Sequence, residues 1–172
     1  MSTTGRLNAN EGTVADAARR RGSALAMPRS RGAVSGTLLM LLGIWGAVIP
    51  FIGPYFNYTF GVTTPWFFTW DRLWLNILPG IAVFLGGLIL GATANRASGR
   101  MGAWLALIGG IWFTIGPAIS QLWGTGGPGA PIGEPLGANW WLVLEQLGYF
   151  FGLGALVTAL GAFALGRLAV RG

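Results

Sequence analysis

Four apolar stretches of about 20 residues run through the chain, and each has the length needed to cross a hydrocarbon core of roughly 30 Å at about 1.5 Å of rise per residue. They predict helices over about 33–54, 73–94, 101–123 and 140–167, and together they occupy most of the 172 residues. Such a chain leaves no room for a second, soluble domain. Its composition agrees, with 53% hydrophobic and 9% charged residues, where a soluble protein carries about 25% charged residues. The expected fold is all-α, an integral membrane four-helix bundle.

The charges that remain lie mostly between the apolar runs. All eleven basic residues are Arg, and ten of them flank the runs on one side: six in the segment 1–31, Arg96 and Arg100 in the middle turn, and Arg167 and Arg171 at the end. Arg72 alone falls on the other side. The positive-inside rule then puts both termini in the cytoplasm. Residues 1–31 read as a mobile basic tail drawn to anionic lipid, and 32–172 as the transmembrane domain. The Arg-only, Gly-rich usage points to a GC-rich genome, hence to a bacterial cytoplasmic membrane. The basic pI reflects this topology, so no nucleic-acid partner is expected.

The chain has no Cys, no His and no Lys. Disulfides, thiolate nucleophiles, Cys/His zinc sites, iron–sulfur ligation, His-ligated haem and Schiff-base chemistry all need a side chain that is missing. No Gly-rich run opens a helix with a phosphate-binding Lys. The expectation is a protein with no catalytic, metal or cofactor-binding residues.

Two patterns recur along the chain. Gly43-Ile44-Trp45 with Pro50 returns as Gly110-Ile111-Trp112 with Pro117, and Gly80, Val83 and Gly87 return as Gly154, Val157 and Gly161. The spacing predicts a tandem repeat of two helix pairs, both copies crossing the membrane in the same sense. Within it, the segments Gly43 to Phe51, Leu75 to Gly80 and Gly110 to Pro117 resemble the small actinobacterial membrane proteins of the Ser-Pro-Trp repeat family, in which a Trp-bearing helix closes on a proline near the membrane surface. Here Ile49-Pro50-Phe51 and Gly116-Pro117-Ala118 stand where that tripeptide would be. The resemblance implies a compact multi-helix membrane protein of no established activity.

Between the first two helices, Tyr55, Phe56, Tyr58, Phe60, Trp66, Phe67, Phe68 and Trp70 read as an interfacial aromatic belt or a short segment lying on the outer leaflet. Trp45 and Trp112 read as packing or interface residues. Glu145 is the acid placed inside an apolar run, and a carboxylate there needs a partner. Arg72 and Asn76, at the same outer end of the second helix, are the expected partners, forming an intramembrane polar cluster of Glu145, Arg72 and Asn76. The leading expectation is a non-catalytic integral membrane protein whose partners are the lipid bilayer and other membrane protein subunits or itself, such as an accessory subunit of a larger complex. The alternative is a small transporter or channel that uses Glu145.

Overall fold

The computed structural model describes residues 30–123 and 133–169, and the basic tail, most of the loop between the third and fourth helices and Arg171 lie outside the described residues. The described part is mostly helical and has no strands. Helix α1 (Ser30–Ile52) closes in a 3-10 turn, Gly53–Phe56. Helix α2 spans Trp70–Ala92, α3 spans Arg96–Ser120, and the fourth crossing is made of two segments, α4 (Trp140–Tyr149) and α5 (Phe151–Ala169). Four helices are long and apolar enough to cross a membrane, as expected of a multi-pass membrane protein.

Several boundaries differ from the sequence reading for local reasons. The second helix starts three residues early because the Thr69 hydroxyl caps it, accepting from the Arg72 N–H at 3.2 Å. Asn95 caps α3 the same way, accepting from the Ala97 N–H at 2.9 Å, which draws Arg96 and Arg100 into the helix and leaves a shorter turn than expected. The fourth crossing is interrupted at Phe150, whose φ of −136° and ψ of −75° leave the helical region.

Proline shapes α2. Leu73–Ile77 is wound as a π-helix ahead of Pro79, with the Leu78 N–H donating to the Leu73 carbonyl. In that winding the Trp74 carbonyl would pair with residue 79, which has no N–H. The Trp112 indole of α3 takes its place, donating to Trp74 O at 2.9 Å. A matching bond lies across the bundle. The Trp45 indole of α1 donates to Gly148 O at 3.0 Å, beside the break at Phe150 that interrupts the helical ladder. Both indoles, expected as packing or interface residues, close backbone gaps that lipid could not solvate.

The helices approach closely where glycine faces backbone. A Cβ on Gly43 would lie 2.7 Å from Gly80 O, and one on Gly154 would lie 2.7 Å from Gly110 O. The α2–α3 contact is equally close, a Cβ on Gly86 falling 2.6 Å from Gly102 O. By contrast, α1 and α5 meet over a much shorter stretch. At the Arg end, the Arg100 guanidinium donates to Leu168 O at 3.2 Å, covering the last turn of α5.

Because backbone atoms block both positions, joined at Gly154 by the Thr114 hydroxyl, Gly43→Ala and Gly154→Ala should each cost about 1–3 kcal/mol. At Gly166, where nothing lies within 4 Å of a new Cβ, alanine should instead add about 0.5–1 kcal/mol through helix propensity. Thermal unfolding in detergent compares the three variants directly.

Candidate functional site: the Glu145 network

The aromatic loop does not lie flat as a belt over its whole length. Its first part folds back onto the bundle and pairs with the loop between α3 and α4 through a single antiparallel bridge among the described residues, Phe60 with Pro135. Gly61 N–H donates to Glu134 O at 2.9 Å, and Leu136 N–H to Thr59 O at 3.4 Å. Tyr58, Thr59 and Phe60 are buried as a result. The later part, including Trp66, Phe67, Phe68 and Trp70, stays exposed, as a belt would.

Glu145 lies directly beneath the paired loops and is 0% exposed. One carboxylate oxygen accepts from Gly137 N–H at 2.9 Å and the other from Thr59 N–H at 3.4 Å, so one side chain ties one residue from each loop to α4. The first bond has ideal length and the second is long, and both link the side chain to backbone donors. Aromatic side chains complete the joint. Tyr58 donates to Leu144 O at 2.5 Å, Trp141 to Asn57 O at 2.8 Å, and Tyr149 to Tyr58 O at 2.8 Å. The Tyr58 and Tyr149 rings stack at 5.3 Å, and Trp141 meets Tyr58 edge-on at 5.9 Å. Burial, reinforced by the nearby Glu145 carboxylate, pushes the Tyr58 phenol above its ordinary value, so it remains a proton donor to Leu144 O.

The expected cluster of Glu145, Arg72 and Asn76 does not close. Among the described residues no hydrogen bond or ion pair joins Glu145 to either of them. Arg72 is buried, but Nη1 donates to Phe67 O at 2.7 Å, in the loop just before its own helix, and Nη2 has no partner. Asn76 is buried with its amide nitrogen also unpartnered. The reason is one of supply: Glu145 finds two backbone donors in the loops that cover it, so it needs no guanidinium. Sequence reasoning missed Thr59, Gly137, Tyr58 and Tyr149. For the tyrosines there was a signal, since a phenol in an apolar chain must find an acceptor. For the two backbone amides there was none.

No group of three or more metal-ligating side chains occurs among the described residues. Comparison with protein-family models, with curated proteins and with solved structures gives no match.

The network predicts an order of mutational effects. Glu145→Leu strands two buried N–H groups and should cost about 2–5 kcal/mol. Glu145→Gln keeps one acceptor but turns an NH₂ toward the other N–H, and should fall between Leu and wild type. Asn76→Leu removes an amide nitrogen that is already unsatisfied and should stay within about 1 kcal/mol of wild type. Denaturation of purified protein in one detergent ranks them.

Proposed function

We propose that this is a non-catalytic integral membrane protein, both termini cytoplasmic in a bacterial plasma membrane, that acts by docking against another membrane protein or a second copy of itself. The fold behind this reading is a tandem duplication of two helix pairs about a pseudo-two-fold axis. It is supported by contacts that recur at equivalent positions: Gly43 against Gly80 and Gly110 against Gly154, and Trp45 to Gly148 O and Trp112 to Trp74 O. Trp74 and Gly148 stand equally far ahead of Gly80 and Gly154.

The observation that carries the docking surface is the place where this symmetry fails. Along the α2–α3 seam the equivalent side chains Leu105, Ala82 and Ile89 are half-buried. Their counterparts along the α1–α5 seam, Leu38, Leu156 and Phe163, are 43%, 58% and 58% exposed. At these positions one seam is closed within the chain and the other is open, an apolar strip of the kind another helix covers. Gly43, Gly80, Gly110 and Gly154 cannot serve this purpose, because they already face one another inside the chain. Transport through Glu145 has little support, since both of its oxygens are held by backbone amides.

The absence of cysteine makes the test clean. Single cysteines at Leu38, Leu156 and Phe163, cross-linked in native membranes, should give a higher-mass adduct. Cysteines at Ile81 and Ile108, on exposed positions of α2 and α3, should give none. Equal cross-linking from both sets would reject the α1–α5 seam as an interface.

A further inference from the structure

Four of the nine tryptophans line one hollow at the loop end of the bundle. Trp70 and Trp74 come from α2, Trp112 from α3 and Trp123 from the turn that follows it; the other lining residue is Asp71. The hollow has a volume of about 340 Å³, at the small end of the roughly 300–1,000 Å³ usual for ligand sites. Two of its walls are fixed by hydrogen bonds, Trp112 to Trp74 O at 2.9 Å and Trp123 to Asp71 Oδ1 at 3.4 Å. Directly below it, sharing Trp74 and Trp112, is a second hollow of about 270 Å³ lined by Leu78, Pro79, Ala82, Ile108 and Gly109. That lower hollow is apolar and opens between the membrane-crossing parts of α2 and α3.

Tryptophans near a membrane surface are ordinary belt residues. A belt, however, needs neither convergence from three elements nor a carboxylate at its centre. Asp71 is half-buried and has no ion-pair partner among the described residues, because the neighbouring Arg72 guanidinium turns inward to Phe67 O. Indole faces attract a cation within about 6 Å, and Trp does so best of the aromatic residues. A carboxylate adds Coulomb attraction that partial burial strengthens. At this end of the bundle the other described charges are Glu134, which is acidic, and the buried Arg72 and Glu145. Arg72 is the one cation among them, and its guanidinium does not line the hollow but donates to Phe67 O.

We propose that this tryptophan and aspartate hollow binds the ammonium headgroup of a membrane lipid, with the first part of its acyl chain lying in the apolar hollow beneath. The two hollows are stacked as a headgroup and a chain are stacked, the one that holds the Asp71 carboxylate above the one that holds no charged side chain. The lower one distinguishes a lipid from a free organic cation, which would have no use for it.

The test uses the full chain labelled with 5-fluorotryptophan in nanodiscs of phosphatidylglycerol containing increasing fractions of phosphatidylcholine. The fluorine resonances of Trp70, Trp74, Trp112 and Trp123 should move together and saturate, while those of Trp45 and Trp141, held to carbonyls elsewhere in the bundle, should not follow them. Asp71→Asn should raise the phosphatidylcholine fraction at half-saturation about tenfold or abolish saturation. The wild-type titration stands by itself if that variant fails to fold. Resonances of all tryptophans drifting in proportion to lipid composition would overturn the proposal, leaving a membrane belt only. So would an unchanged midpoint in a folded Asp71→Asn variant. A response to tetramethylammonium chloride with none to phosphatidylcholine would overturn the lipid assignment in favour of a soluble cation.

Discussion

Inside a bilayer no water is available to a broken backbone hydrogen bond, so each carbonyl or amide released by a proline, a kink or a loop must be met by another part of the same chain. This chain breaks its helices in several places and repairs them with side chains. Pro79 removes the donor that Trp74 O would have used, and the Trp112 indole supplies another. The break at Phe150 lies beside Gly148 O, which the Trp45 indole covers. Where two loops cross the end of the bundle, Glu145 accepts from one amide of each. The long-range polar bonds thus serve mainly to complete the backbone, and they also fasten one helix pair to the other.

The same need explains why a carboxylate is placed where it is. Two amides arriving from different loops are met by the two oxygens of one carboxylate, each accepting from its own donor. Around it Tyr58, Trp141 and Tyr149 each contribute an apolar ring and a polar tip that reaches a carbonyl. The loop end of the bundle is built as a lid over α4 rather than as a fringe of loops.

Much of the architecture was legible in the residues because length and hydropathy act over whole helices. Four crossings, the glycine-paired faces and the inward placement of Glu145, Arg72 and Asn76 all follow from patterns spread over several turns. The parts that were not legible depend on single backbone groups. Nothing in the sequence around Gly137 or Thr59 marks their amides as the partners of Glu145, because a backbone N–H is the same in every residue but proline. The pairing of Phe60 with Pro135 joins segments far apart in the chain, with no alternating strand pattern to announce it. Opposite charge and a shared end of the bundle pair Arg72 with Glu145 in the sequence, whereas a carbonyl five residues away in its own chain takes the guanidinium instead.

The account rests on Glu145 holding both loops at once, and amide hydrogen exchange at Thr59 and Gly137 measures that most directly. In the wild-type protein in nanodiscs both amides should exchange far more slowly than exposed loop positions such as Thr63. In a folded Glu145→Leu variant both should lose protection together. If Thr59 and Gly137 exchange at ordinary loop rates in the wild type, or keep their protection without the carboxylate, Glu145 is not the fastening and the bundle closes its outer end by other means.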